Sequence, residues 1–370
     1  MLGRRQVVKA LGFDPSIRRF ESSRPSQALS QRAGPAKKRN RSLRRYESKQ
    51  YRNCAVSYSD EMKIFSGSGS QELTRIACEH VYEVMGQATV GQFSDGEVHV
   101  QIGENIRGKD VFIINSSAPP INRNFMELLI LIDAARRASA ARVTAVLPYF
   151  GYARQDRKDK PRAPITAKLV SNMIVTAGAD RVLTLDLHAD QIQGFFDIPL
   201  DHLSGDVEFV RYLRDRKENN LVIVSPDTGS VRRAREVANR LEAPLAIVDK
   251  RRPKENVAEV MNVIGDVEGK RAIIFDDMID TAGTLVKAAE AIKARGATDV
   301  SACATHPVFS GDAIQRIQDS VLDEVIVSDS IPLSEDARAC SKIKVITFAP
   351  LIGEAIKRIH EEKSVSILFR

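Results

Sequence analysis

Residues 273–287, IIFDDMIDTAGTLVK, set an apolar run directly before two adjacent carboxylates and a loop of small residues that opens a helix. Ile273, Ile274 and Phe275 read as a buried strand of a parallel sheet, because such strands are apolar on both faces. Asp276 and Asp277 are then expected at its carboxyl end, where open α/β sheets bind ligands. Two acceptors there suit a vicinal diol. Beyond Asp280, residues Thr281, Ala282, Gly283 and Thr284 offer backbone N–H groups, two hydroxyls and a helix N-terminus, which together favour a phosphate dianion. A lone Asp-Asp is ordinarily an acidic strand end before an N-cap. The complete order of strand, diacid, Asp-Thr and Gly-Thr turns the reading toward a bound ligand.

The flanking sequence has the grammar of a parallel sheet covered by helices. From Met62 onward KIFSG, DVFIINS and VTAVLPYF read as strands, with helices expected near Glu72 to Met85 and over Asn124 to Ala138. A second series, LVIVSPD, LAIVDK, RAIIFDD and VSACATHP, alternates with helical segments such as Leu285 to Arg295. Two α/β halves result, divided near residue 206, and 370 residues suffice for a core in each.

Charge is unevenly spread. Residues 1–61 hold 15 Lys plus Arg against 5 Asp plus Glu, or +10, which leaves 40 against 43, or −3, for residues 62–370. The basic character belongs to the leading segment, so it does not argue for nucleic acid or an anionic membrane as partner of the folded part. No nucleic-acid-binding motif is found. Residues 1–61 show no sustained period and are expected to be disordered. Their Arg-rich, acid-poor composition also fits an organelle-targeting leader, and a third reading is an upstream start codon ahead of MKIFSGSGS at 62–70. Cys54, Cys78, Cys303 and Cys340 are too far apart for a CxxC pair or a zinc cluster, which points to reduced thiols in a cytosolic protein. No apolar run reaches membrane-span length, since even FMELLILIDAA carries Glu127 and Asp133.

The 273–287 stretch resembles the 5-phosphoribosyl 1-pyrophosphate (PRPP) loop shared by phosphoribosyltransferases and ribose-phosphate pyrophosphokinases. FSDGE at 93–97, PYFGYARQDRK at 148–158, LDLHADQIQGFFDIP at 185–199, SPDTG at 225–229 and DKRRPKENVAEVMNVIGDVEGK at 249–270 separate the two. In this order they resemble ribose-phosphate pyrophosphokinase, from about Met62 to the C-terminus. The resemblance implies an α/β protein of two phosphoribosyltransferase-like domains, 62–206 and 207–352, only the second keeping the diacid loop, with a tail of about 353–370 packing back on the first. It implies transfer of the β,γ-diphosphate of ATP to the anomeric hydroxyl of ribose 5-phosphate, AMP leaving, to give PRPP for nucleotide biosynthesis. Charge on several phosphates must be neutralised during that transfer, which calls for Mg²⁺ and fixed cations more than a protein nucleophile. A cytoplasmic homo-oligomer, a hexamer with the active site at a subunit interface, is implied as well, with ADP and inorganic phosphate as regulators.

Residue by residue, Lys250 and Arg252 match the family's catalytic pair on a mobile loop. Taken alone, Lys250, Arg251 and Arg252 after the strand LAIVD read as a solvated charge run. His188, ending RVLTLDLH, is by itself a structural histidine or a metal ligand; the resemblance makes it a ligand of the Mg²⁺ bound with ATP. Asp227 is the second ligand implied, with an oxygen that suits Mg²⁺; otherwise it is a turn residue after Pro226. Arg154, Gln155 and Asp156 match the ATP segment, Arg154 toward phosphate and Gln155 toward adenine. Phe93, Asp95 and Glu97 match an adenine pocket completed from a neighbouring subunit, although FSDGE alone is a turn signal. Arg107, Gln193, Asp201, Ser364, Ser366 and Phe369 match the regulatory site. No GxxxxGK[ST] occurs, which excludes a P-loop kinase. Two departures stand out: Gly229 is followed by Ser230 where the family has a second glycine, which puts the local backbone geometry in question, and Asn105 replaces a common Ser. Two other function classes compete, a catalytically silent regulatory relative and a PRPP-consuming phosphoribosyltransferase. Retention of His188, Asp227, Lys250 and Arg252 opposes the first, and ARQDRK with LDLHADQIQGFF opposes the second.

Overall fold

Two parallel sheets arise where the apolar runs predict strands. The computed structural model describes residues 61–251 and 260–369; residues 1–60, residues 252–259 with Arg252, and Arg370 lie outside the described residues, as do the side chains of Lys250, Arg251, Val260 and Phe369. The first half runs β1 (Met62–Ser66), α1 (Gln71–His80), β2 (Ala88–Gln92), β3 (Val98–Ile102), β4 (Asp110–Ile114), α2 (Ile121–Arg137), β5 (Arg142–Leu147), α3 (Thr166–Ala177), β6 (Arg181–Leu185) and β7 (Leu200–Leu203). β1, β4, β5, β6 and β7 form one sheet in that order, every pair parallel, while β2 and β3 form a separate antiparallel hairpin. All five residues of β4 and all six of β5 are buried, as expected of strands covered on both faces.

The second half continues with α4 (Asp206–Asp215), β8 (Leu221–Ser225), α5 (Val231–Leu241), β9 (Leu245–Arg251), β10 (Val260–Ile264), β11 (Arg271–Ile279), α6 (Gly283–Ala294), β12 (Asp299–Pro307), α7 (Ala313–Asp319), β13 (Glu324–Ser328), α8 (Glu335–Ala339), β14 (Ile343–Ile346) and α9 (Ala349–His360). Its seven-stranded sheet has the order β10-β9-β8-β11-β12-β13-β14, parallel except for the β10–β9 pair. Phe112 and Ile114 of the first sheet, Ile223 and Phe275 of the second, and Phe209, Phe348 and Ile352 belong to one continuous core. Burial of this shared apolar surface holds the two sheets together.

Two elements differ from the sequence expectation. Helix α1 stops at His80 and does not reach Met85, because Tyr82 takes a left-handed φ of 59° and the Glu83 N–H turns back to Cys78 O at 3.0 Å. Lys250 and Arg251 are not in a loop but extend β9, where Lys250 lies opposite Met261 of β10. Helix α9 lies against α1; a Cβ on Gly353 would fall 2.9 Å from Ala77 O, so only glycine permits this approach. Its end is tied to the first sheet by buried Asp110, which accepts from Arg142 Nε at 2.8 Å and lies 2.9 Å from His360 Nδ1. Cys78, Cys303 and Cys340 are buried free thiols, and no described helix is long and apolar enough to cross a membrane.

Candidate functional site

Unequal strand pairing opens the site. β11 pairs with β8 only over Arg271–Ile274, whereas its pairing with β12 continues to Ile279 opposite Pro307. Asp276 and Asp277 therefore lie within the strand, on an edge that β8 leaves free. The chain leaves β8 through Pro226 and Asp227, and between these segments and the first half lies a cleft of about 1120 Å³ lined by Arg154, Asp156, His188, Asp227, Asp276 and Asp277 among others. A smaller pocket of about 190 Å³ adjoins Asp276 and is walled by Asp280, Thr281, Ala282, Gly283 and Thr284.

Three carboxylates meet at the cleft. Asp227 Oδ1 accepts from the N–H groups of Gly229 at 2.8 Å and Ser230 at 2.9 Å. Asp276 Oδ1 accepts from Ser230 Oγ and from the Asp277 N–H, both at 3.0 Å. Burial, followed by the charges of Asp277 and Asp227, pushes the Asp276 carboxyl up to about 7. Burial also disfavours ionised Asp277, but the hydrogen bond and charge of His188 outweigh it and hold Asp277 below its ordinary value. The contact is His188 Nδ1 to Asp277 Oδ2 at 2.8 Å, and it raises the imidazole in turn.

The loop before α6 is shaped for an anion. Ala282 takes a left-handed φ of 59°, and no side chain caps the first turn of the helix, so its N–H groups face the small pocket uncapped by the chain. Arg316 Nη1 donates to Thr281 O at 2.8 Å beside it. Asp280 is held by Ser310 Oγ and by Arg154, an ion pair that joins the two halves across the cleft. Burial opposes its charge, yet these two partners keep its carboxyl below the usual value.

A buried network fastens Asp186, two residues before His188. Asp186 has φ 31° and is fastened by Gly205 N at 3.0 Å, Arg233 Nη2 at 2.8 Å and Thr305 Oγ1 at 2.5 Å. Arg233 also donates from Nε to Asp206 at 2.7 Å. His306, 3.0 Å from Asp186 O, completes the seam between the sheets. These partners hold an aspartate in a backbone region that ordinary residues avoid.

Other predicted residues are distributed unevenly. Gln155 does not line the cleft; its side-chain oxygen accepts from Thr166. Phe93, Asp95 and Glu97 occupy the tip of the β2–β3 hairpin, with Phe93 54 % exposed and outside both cavities. Gln193 and Asp201 line the cleft, Asp201 paired with Arg181 at 2.6 Å. Arg107, bonded to Ser139 Oγ at 3.1 Å, lies outside it, as do Ser364 and Ser366. Arg252 and the side chains of Lys250 and Phe369 fall outside the described residues.

Comparison with known proteins decides the family. Residues 62–178 match the N-terminal domain of ribose phosphate pyrophosphokinase, and residues 251–370 match a phosphoribosyl synthetase-associated domain. A ribose-phosphate pyrophosphokinase of Caldanaerobacter subterraneus subsp. tengcongensis is 57% identical over 313 residues, 84% of this chain and 99% of the relative. One from Oceanobacillus iheyensis is 54% identical over 85% of this chain and 99% of its own length. The crystal structure of phosphoribosylpyrophosphate synthetase from Mycobacterium smegmatis covers 82% of this chain and 99% of its own, at 40% identity and TM-score 0.77. The chain belongs to the ribose-phosphate pyrophosphokinase family.

Ser230 has φ −86° and ψ 1°, a conformation open to any L-residue, so the expected glycine is not required there. Asp186, Arg233, Ser310 and Arg316 were not singled out from sequence. Arg233 sits in the basic run VRRAR, and its inward position is set by partners distant in sequence, Asp186, Asp206 and Thr305.

Proposed function

We propose that this protein is a ribose-phosphate diphosphokinase that transfers the β,γ-diphosphate of ATP to the C1 hydroxyl of ribose 5-phosphate, releasing AMP and PRPP. The observation that carries the reading is the juxtaposition of the Asp276-Asp277 edge with the uncapped N-terminus of α6, facing Arg154 and His188 across one cleft. In this reading the diacid accepts from the ribose hydroxyls, and the N–H groups and hydroxyls of residues 281–284 hold the 5-phosphate. Arg154 meets the polyphosphate, exchanging Asp280 for it. Lys250 and Arg252 supply further charge as it moves between oxygens.

The donor set fits a hard divalent cation, since Asp276 is pushed up by burial and then by the neighbouring Asp277 and Asp227, and a cation would relieve the part due to repulsion. Asp227 and His188 would hold Mg²⁺, which when bound neutralises phosphate charge. Among the described residues no group of three His, Cys, Asp or Glu that could hold a metal ion is found, and in this reading phosphate oxygens of ATP would supply the further donors. Residues 62–206 and 207–352 act as the two domains. A cytoplasmic homo-oligomer, a hexamer, brings Phe93, Asp95 and Glu97 to a neighbour's adenine, and ADP and phosphate regulate through Arg107, Gln193, Asp201, Ser364, Ser366 and Phe369.

The test is chromatography of ATP plus ribose 5-phosphate without any nucleobase. Equal amounts of AMP and PRPP, dependent on Mg²⁺, are expected. Binding of both substrates without PRPP overturns the reading in favour of a regulatory relative, and PRPP consumption on adding a nucleobase favours a transferase.

A further inference from the structure

One residue touches both carboxylate loops. Ser230 donates its N–H to Asp227 Oδ1 at 2.9 Å and its hydroxyl to Asp276 Oδ1 at 3.0 Å. Asp227 follows β8 and Asp276 lies in β11, on the stretch of that strand that β8 leaves unpaired. No ladder hydrogen bond joins the two segments at this level, so the serine replaces the missing ladder with a side-chain bridge. Its effect on Asp276 is directional. Oδ1 is engaged by Ser230 Oγ and by the Asp277 N–H, which fixes the plane of the carboxyl beside that of Asp277. A carboxylate beside two others would otherwise rotate to reduce repulsion, since terminal carboxylate torsions are soft.

We infer that Ser230 is a positioning residue that locks the Asp276 carboxylate for the ribose hydroxyls and ties the sugar-binding edge to the Asp227 loop. The inference rests on the proposed ribose 5-phosphate site. A glycine here would keep the N–H to Asp227 and lose the hydroxyl, so the serine adds its bond on the sugar side alone. The conformation of φ −86° and ψ 1° is equally open to Ala and Thr, so the hydroxyl can be removed without moving the backbone.

The experiment compares Ser230→Ala and Ser230→Thr with the wild type in full-length protein, reading the KM of each substrate and, by calorimetry, ribose 5-phosphate affinity. Loss of a hydrogen bond to a charged acceptor corresponds to roughly 10- to 150-fold. Ser230→Ala is expected to weaken ribose 5-phosphate by about that factor, with ATP KM unchanged and the melting temperature retained. Ser230→Thr, which restores the hydroxyl, is expected to recover most of the loss. Equal losses for both substrates, no recovery with Thr, or ribose 5-phosphate affinity within about twofold of wild type in Ser230→Ala overturns the inference. If the wild type binds ribose 5-phosphate but makes no PRPP, the activity reading fails while calorimetry still decides Ser230. If it does not bind ribose 5-phosphate, both fall.

Discussion

Replacing Arg233 by methionine isolates the polar seam behind the site. The guanidinium reaches Asp186 at 2.8 Å, Asp206 at 2.7 Å and Thr305 Oγ1 at 2.9 Å, and both aspartates are at most 7% exposed. Methionine preserves much of the packing volume but strands two carboxylates beside each other. Removing one partner of a buried ion pair costs about 3–5 kcal/mol. The Arg233 side chain keeps 16% exposure, so solvent screens part of this and about 2–4 kcal/mol is the better expectation. At about 2–4 °C per kcal/mol for a body of this order of size, the melting temperature should fall by roughly 4–16 °C.

The pH dependence separates electrostatics from packing. In the wild type burial opposes the charge of Asp186, but Arg233 and Thr305 hold its carboxyl below the ordinary value, whereas burial leaves Asp206 raised. Without Arg233 both carboxyls lie above their unfolded values, so the variant binds more protons folded than unfolded and loses stability as pH rises. The gap to wild type should be widest near pH 7 and narrow toward about pH 4, where the carboxyls are protonated. Circular-dichroism melts across that range measure it, and Asp206→Asn added to Arg233→Met should recover part of the loss. A midpoint within about 2 °C of wild type at pH 7, or a gap that ignores pH, would refute the argument.

Asp277→Ala should weaken ribose 5-phosphate by about 10- to 150-fold and ATP far less, read by calorimetry. Lys250→Ala and Arg252→Ala should each lower kcat by about 10²- to 10³-fold with little change in KM, the pattern of contacts made mainly in the transition state. Because the Asp276 carboxyl is raised to about 7, the folded state holds its proton longer than the unfolded chain, and the ligand-free protein loses stability as pH rises from about 4 to about 7. Melts of Asp276→Asn should show a smaller loss over that window. A chain starting at Met62, where the family match begins, should turn over like the full chain in the AMP-release assay.

The central strands were legible because burial on both faces leaves an apolar signature, as in Ile273 to Phe275 and in Val143 to Leu147. Boundaries were not, since Tyr82 stops α1 through its backbone conformation and Lys250 is drawn into β9 by pairing with β10, neither of which a local pattern records. The diacid was legible as chemistry and lies toward the carboxyl end of β11, but that β8 leaves this edge of the strand unpaired is set by register, which a local pattern does not record. Partner choice was the least legible. Residues assigned separately to the two substrates bind each other: Arg154 of the first half holds Asp280 of the second, and His188 holds Asp277. Each pair is distant in sequence and is created only when the halves face one another. In the proposed reading an incoming phosphate would compete with Asp280 for Arg154, and a ligand on Asp277 would compete with His188. Both exchanges would loosen contacts between the halves as the ligand supplies new ones, so occupancy on one side of the cleft would change what the other side has free to offer.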